Sequence, residues 1–150
     1  MVKNPKTLIL LILSVSLVTG VTLMGGCVGR GTGTPSPQTT QIIEDITPQE
    51  AFALIQQNQG NPDFVIIDVR TPEEFSEGHI EGAINIDFYS ETFQDELDIL
   101  DKNKTYLIYC LIGGRSGSAL DIMEELNFRE AYNVTGGIIQ WQAEGFPTVK

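Results

Sequence analysis

The sequence predicts an α/β domain in which helices cover both faces of a parallel β-sheet. Short runs of apolar and β-branched residues alternate along the chain with segments whose apolar residues recur at helical spacing. Strands separated by helices in this way form parallel sheets, because a parallel pair needs a long crossover connection. Two Thr-Pro-x-Glu sequences add strong helix-start signals to the pattern.

The first of these signals, at Thr47, predicts a helix over residues 48–57, with threonine as N-cap, proline in the first position and glutamate in the third. The apolar run 64–68 is predicted to be a strand. The second signal, at Thr71, opens a short helix that ends at Gly78.

Three further elements follow. Residues 83–86 are predicted to form a strand, and Phe93, Leu97 and Leu100 indicate a helix. The aromatic and β-branched run 105–109 is predicted to be a buried strand.

The last helices and strand are predicted in the same way. An amphipathic helix is indicated by apolar residues at i, i+3, i+4 and i+7, which are Ala119, Ile122, Met123 and Leu126. Residues 131–134 then form a strand, and residues 138–143 form a helix.

A cysteine lies at the turn between the third predicted strand, residues 105–109, and the amphipathic helix. Cys110 and Arg115 enclose four residues, of which Gly113 and Gly114 allow the loop to curl with its N–H groups pointing inward. Such amides, the helix N-terminus and the arginine lower a thiol pKa from about 8.5 to roughly 3.5 to 7.5. The sequence therefore predicts a reactive thiolate, against the alternative of a core cysteine.

Three separated motifs carry a resemblance to a known family. Cys110-Leu111-Ile112-Gly113-Gly114-Arg115-Ser116 resembles the active-site loop of the rhodanese family of sulfurtransferases. Residues 67–86, which include Asp-Val-Arg-Thr-Pro-Glu-Glu-Phe and Gly-His-Ile, are similar to the family's N-terminal signature. Gly136-Gly137 with Trp141, Gly145 and Pro147 resembles its C-terminal signature. Together they span about residues 42–150 and imply a rhodanese-like fold.

The resemblance also implies roles for individual residues. Cys110 would be the nucleophile that takes a sulfane sulfur from thiosulfate, a polysulfide or a persulfide and passes it to a thiol-type acceptor. Its substrate-binding loop would comprise Leu111, Ile112, Gly113, Gly114 and Arg115. Asp68 and Arg70 would support the loop, whereas His79 and Trp141 would be structural. No metal site or nucleotide motif is found, and no cofactor is expected.

Leu111 and Ile112 are apolar where some relatives have charged residues that contact thiosulfate. They either pack the loop or indicate a different physiological donor. Two rival functions follow. A phosphatase or arsenate reductase uses a similar cysteine-arginine loop, but that loop is longer by one residue, which suits phosphate better. A sulfur carrier, sensor or docking module without turnover is the second rival.

The N-terminal part of the chain has the layout of an export signal. Lys3 and Lys6 precede an apolar run that ends in Leu23-Met24-Gly25-Gly26-Cys27, which resembles a lipoprotein lipobox. We expect residues 1–26 to be a signal sequence, Cys27 to be lipidated, residues 27–41 to be a flexible tether and residues 42–150 to be the domain. An uncleaved membrane anchor is the alternative. Either arrangement predicts a protein tethered to the cell envelope on the non-cytoplasmic side.

The domain is strongly acidic. Residues 42–150 contain all 20 acidic residues against six basic ones, so this part carries a net charge of −14. Nucleic acid is thereby excluded as a partner, and the excess charge provides solubility or a surface for a basic protein. With Cys27 lipidated, Cys110 has no second thiol to resolve it, so an external acceptor is expected.

Overall fold

A computed structural model describes residues 40–150. The expected signal sequence, Cys27 and all of the expected tether before Thr40 lie outside the described residues. Between residues 40 and 150, no helix combines the length and apolar character that crossing a membrane requires.

Strands and helices alternate along the described part of the chain. The strands are β1 (Ile42–Ile46), β2 (Phe64–Asp68), β3 (Ala83–Asn85), β4 (Thr105–Tyr109) and β5 (Glu130–Val134). The helices are α1 (Pro48–Gln57), α2 (Pro72–Glu77), α3 (Phe93–Asp98), α4 (Gly114–Glu125) and α5 (Gly137–Ala143). Each helix connects two strands or follows the last one, as the predicted pattern requires.

The strands form one parallel sheet in the order β1-β5-β4-β2-β3. The central strand is β4, which pairs with β2 on one side and β5 on the other. The carboxyl ends of β4 and β2 are in register, with Tyr109 opposite Asp68. The predicted α/β fold with a parallel sheet is confirmed, and Cys110 follows directly after its central strand.

Two apolar cores cover the two faces of the sheet. On one face, Ile67 and Ile108 of the sheet lie in a cluster with Leu97 of α3 and Met123 of α4. On the other face, the cluster is formed by Ile66, Leu107, Tyr109 and Val134 of the sheet with Ala51, Ile138 and Trp141 of α1 and α5. Burial of these apolar side chains is the main favourable contribution to the stability of the layered fold.

Both predicted capping boxes are present, at Thr47 and Thr71, and they start α1 and α2 where expected. The structure adds one element that the sequence pattern did not indicate, the edge strand β1. Its residues, Ile-Ile-Glu-Asp-Ile, are mostly exposed and show neither strict alternation nor a continuous apolar run. Residues 42–46 form a strand because they pair with β5, and not because of their own sequence pattern.

Candidate active site

Cys110 lies at the carboxyl end of β4, immediately before a tight loop that leads into α4. The residue is 1% exposed, and its Sγ accepts a hydrogen bond from the Gly113 N–H at 3.1 Å. Gly113 is the N-cap of α4 and has a φ of 97°, a left-handed conformation that favours glycine. The glycine therefore allows the loop to turn its amide towards the sulfur.

The pKa of the Cys110 thiol is set by two opposing effects. Burial raises the pKa, but hydrogen bonds from the Ser116 hydroxyl and from the N–H groups of Ser116, Ile112 and Gly113 together lower it by more. The net result is a pKa below that of an ordinary thiol. The thiolate is thus stabilised by N–H groups of the loop and of the first turn of α4.

Ser116 is a member of this cradle that the sequence did not single out. Ser116 is fully buried, and its hydroxyl has no hydrogen-bond partner of good geometry among residues 40–150. A buried hydroxyl without a partner is costly, and Ser116 is close enough to the Cys110 sulfur to lower the pKa of the thiol. Its position in the first turn of α4 was the available signal, since that turn faces the strand end.

Arg115, which follows the loop in the first turn of α4, forms an ion pair with Glu74 of α2. Its Nη1 and Nη2 donate to the two carboxylate oxygens of Glu74 at 2.7 and 2.8 Å. The same carboxylate accepts from the Thr71 N–H, so it caps α2 and binds the arginine at once. Hydrogen bonding from Arg115 lowers the pKa of Glu74 to about 2. The guanidinium also lies 5.5 Å from the ring centre of Tyr89.

The backbone of the loop is held by the start of α5. Ile138 N–H donates to the Cys110 carbonyl at 2.9 Å, and Ile139 N–H donates to the Leu111 carbonyl at 3.2 Å. Gly137 has a φ of 56°, and a Cβ added there would be 2.6 Å from the Leu111 carbonyl oxygen. The Gly-Gly pair of the tail motif therefore brings the helix N-terminus against the loop.

Asp68 and Arg70 form a buried ion pair beside the end of β4. Arg70 Nη2 donates to Asp68 at 2.7 Å and to the Gly78 carbonyl at 2.6 Å. The guanidinium lies 5.9 Å from the ring centre of Tyr109, the residue before Cys110. These contacts fix the strand ends rather than the loop amides, so the expected support is indirect.

The side chains of the loop are apolar and partly exposed. Leu111 is 38% exposed and Ile112 is 68% exposed, whereas Gly114 begins α4. Leu111 borders a shallow pocket of about 250 Å³ together with Ile138 and Ile139. A larger cavity of about 380 Å³ lies elsewhere, around Phe52 and Trp141, and no nucleophilic cysteine lines it. Cys110 lines neither of these two pockets, but the next residue, Leu111, borders the smaller one.

His79 and Trp141 have structural contacts. The His79 ring stacks on Phe75 with ring centres 3.8 Å apart, and its backbone pairs with Val149. Trp141 is buried and donates to the Pro147 carbonyl at 2.9 Å. No cluster of His, Cys, Asp or Glu suited to a metal ion is found in the part of the chain that the structure describes.

Comparisons with known proteins agree with this architecture. The Rhodanese-like domain family matches residues 43–144. Thiosulfate sulfurtransferase PspE of Escherichia coli (strain K12) is 37% identical over 70 residues, covering 47% of this chain and 67% of PspE. Thiosulfate sulfurtransferase GlpE of Coxiella burnetii (strain RSA 331 / Henzerling II) is 32% identical over 102 residues, covering 68% of this chain and 90% of GlpE. The crystal structure of a rhodanese-related protein from Thermoplasma volcanium superposes with a TM-score of 0.58 at 30% identity, covering 71% and 97% of the two chains.

Proposed function

Since this chain belongs to the Rhodanese-like domain family, we propose that it is a sulfurtransferase that works through a persulfide on Cys110. The observation that carries the proposal is the Cys110 sulfur at the end of the central strand, where loop amides and Ser116 favour its thiolate. A stabilised thiolate is the form of cysteine that attacks sulfur. The names of PspE and GlpE, both thiosulfate sulfurtransferases, support the same reaction class.

In the first half-reaction, the Cys110 thiolate attacks the sulfane sulfur of a donor. The bond between Sγ and that sulfur forms as the bond between the sulfur and the rest of the donor breaks, and the leaving group departs with the electron pair. The N–H groups of Ile112 and Gly113 that stabilise the thiolate are also available to the persulfide anion. The lowered pKa of the Cys110 thiol favours the thiolate, which attacks the donor without a separate general base.

In the second half-reaction, an external nucleophile removes the outer sulfur. Cys110 is the only free cysteine among the described residues, so no neighbouring thiol of this domain can resolve the persulfide. The acceptor is therefore a small thiol or a thiol of another protein. The two half-reactions together are ping-pong chemistry.

A second candidate is a sulfur-carrying or docking module without turnover. The observation that favours it is the burial of Cys110, which is 1% exposed and so offers little surface to a bulky acceptor. The net charge of −14 on residues 42–150 also repels anionic donors. The two candidates differ in turnover rather than in the first chemical step.

We assign the protein to the non-cytoplasmic side of a membrane, tethered through a lipid on Cys27. The support is the basic, apolar and Gly-Gly-Cys order of residues 1–27. Metabolic labelling with palmitate tests this assignment, with Cys27→Ala as the control. Label that persists in the variant, or no label in either protein, contradicts the lipidated tether.

Sulfur transfer is tested with the full-length protein at catalytic concentration, with thiosulfate or polysulfide as donor and a thiol as acceptor. The sulfurtransferase proposal predicts many sulfur atoms delivered per protein, and none above background for Cys110→Ser. One sulfur atom per protein supports the carrier. Failure to load sulfur from any donor contradicts both.

A further inference from the structure

The two cations at the site are already paired with carboxylates. Arg115 is held by both oxygens of Glu74, and Arg70 is held by Asp68 in a buried pair. Lys102 and Lys104 precede β4, so they lie at the opposite, amino edge of the sheet. The charges of both arginines are thus already compensated by carboxylates. A doubly charged anion at Cys110 would also be repelled by the net charge of −14 on the domain.

The surface around the loop is apolar instead. Ile112 is 68% exposed, Ile139 is 51% exposed and Leu111 is 38% exposed. Ile139 is joined to Leu111 through the backbone hydrogen bond between helix α5 and the loop. Tyr89, at 68% exposure, adds an aromatic ring beside Arg115. Exposed apolar side chains from three segments therefore surround the residues next to the nucleophile.

A pocket beside the loop provides room for an organic group. It has a volume of about 250 Å³, and Leu111, Ile138 and Ile139 form its apolar wall. Glu77 lies at the same pocket, and its carboxylate disfavours an anionic ligand there. The Arg70 guanidinium also borders the pocket, but its charge is compensated by Asp68.

We propose that the preferred sulfur donor is an apolar organic persulfide, R–S–SH, whose R group contacts Leu111, Ile112 and Ile139. This inference rests on the sulfurtransferase function proposed above. The Cys110 thiolate attacks the outer sulfur, a new S–S bond forms, and the S–S bond of the donor breaks. The R–S group leaves with the electron pair and takes the donor proton as R–SH, so Cys110 is left as a persulfide anion with no net oxidation.

The test measures the loading of Cys110 by rapid quenching and intact mass spectrometry on the full-length protein. Benzyl hydropersulfide and glutathione hydropersulfide present the same –S–SH group on an apolar and on a charged carrier, and thiosulfate is the inorganic dianion. We expect loading from the benzyl donor to be at least about tenfold faster than from the glutathione donor, because only the benzyl ring gains from burial against the apolar side chains.

Ile112→Lys removes the effect of the donors' different intrinsic reactivities. The loading rate of each donor with the variant is compared with the rate of the same donor with the unsubstituted protein. The rate with thiosulfate is expected to rise about fivefold or more, and the rate with benzyl hydropersulfide to fall about threefold or more. Alkylation by neutral iodoacetamide in the same samples corrects for any change in the Cys110 pKa. Ile84→Lys, at a 44% exposed position on β3, is the matched control and leaves both rates unchanged.

Equal loading by the two hydropersulfides, or no opposite response of thiosulfate and benzyl hydropersulfide to Ile112→Lys, would overturn the apolar-donor inference while leaving sulfur transfer intact. If none of the three donors loads Cys110, the proposed function itself fails. The two failures are therefore distinguishable in one experiment.

Discussion

Gly137 packs directly against the carbonyl group of Cys110. A side chain at position 137 would collide with that oxygen and with the Leu111 carbonyl carbon, which would be 2.6 Å from the added Cβ. The next N–H along the chain, that of Ile138, donates to the same Cys110 carbonyl. A distant helix start thus fixes the backbone of the nucleophile, which gives the tail motif a physical role.

Gly137→Ala is expected to lower the free energy of unfolding by at least about 3 kcal/mol, since it combines overpacking with an unfavourable positive φ. Gly145→Ala is the matched control, because Gly145 also has a positive φ, 78°, but open space around its Cα. It is expected to cost only about 1–2 kcal/mol. Urea unfolding measures both values, and equal losses would contradict the close packing at position 137.

Ser116→Ala is expected to raise the pKa of Cys110, because the thiolate loses a hydroxyl donor. The iodoacetamide alkylation rate between pH 5 and 10 reports the thiolate fraction. Its midpoint should move to higher pH in this variant. Ser118→Ala changes an exposed hydroxyl on the same helix and should leave the midpoint in place. An unshifted midpoint in Ser116→Ala rules out the hydroxyl as a donor to sulfur.

The contribution of the Glu74–Arg115 ion pair to the free energy of unfolding depends on pH in the acidic range. The pKa of Glu74 is about 2 in the folded protein against an ordinary value of 4.5, so the pair contributes fully above about pH 4.5. The contribution is lost as the pH falls from about 4.5 to about 2. Because the pair is partly exposed, we expect it to contribute about 1 kcal/mol.

Glu74→Gln should therefore be less stable than the unmodified protein at neutral pH, and the difference should shrink to near zero by about pH 2. Glu73→Gln, at the exposed neighbouring position, should show no such convergence. Urea unfolding midpoints at several pH values measure the difference in stability between each variant and the unmodified protein. A difference that stays constant with pH would show that the charge of Glu74 is not the cause.

Asp68→Asn is expected to lower the free energy of unfolding by about 3–5 kcal/mol, because it leaves the buried Arg70 charge without its partner. Asp63→Asn removes an exposed carboxylate that lies 3.8 Å from Lys104, and its effect should be within about 0.5 kcal/mol. Thermal or urea unfolding distinguishes the two. Similar effects for both substitutions would contradict the structural role assigned to the Asp68–Arg70 pair.

Much of the fold was predictable because local signals agree with the tertiary structure. The Thr47 and Thr71 capping boxes and the apolar runs of β2 and β4 each specify their element without distant partners. Strand β1 was not predictable in this way, since its pairing with β5 joins segments about 88 residues apart and its side chains stay mostly exposed.

The site shows the same division between local and distant information. The placement of Cys110 between a strand and a helix follows from the neighbouring pattern. The partner of Arg115 does not, because Glu74 is 41 residues away and was expected only to cap α2. Likewise, contact of Gly137 with the Cys110 loop depends on where α5 begins relative to β4, which spacing along the chain does not report.

Persulfide formation on Cys110 is tested most directly by intact mass spectrometry of the full-length protein and of Cys110→Ser after incubation with thiosulfate and, separately, with polysulfide. We expect a gain of one sulfur atom on the unsubstituted protein alone, and loss of that sulfur when a thiol is added. Absence of any adduct from either donor, with Cys110 still open to alkylation, would contradict persulfide chemistry at this site.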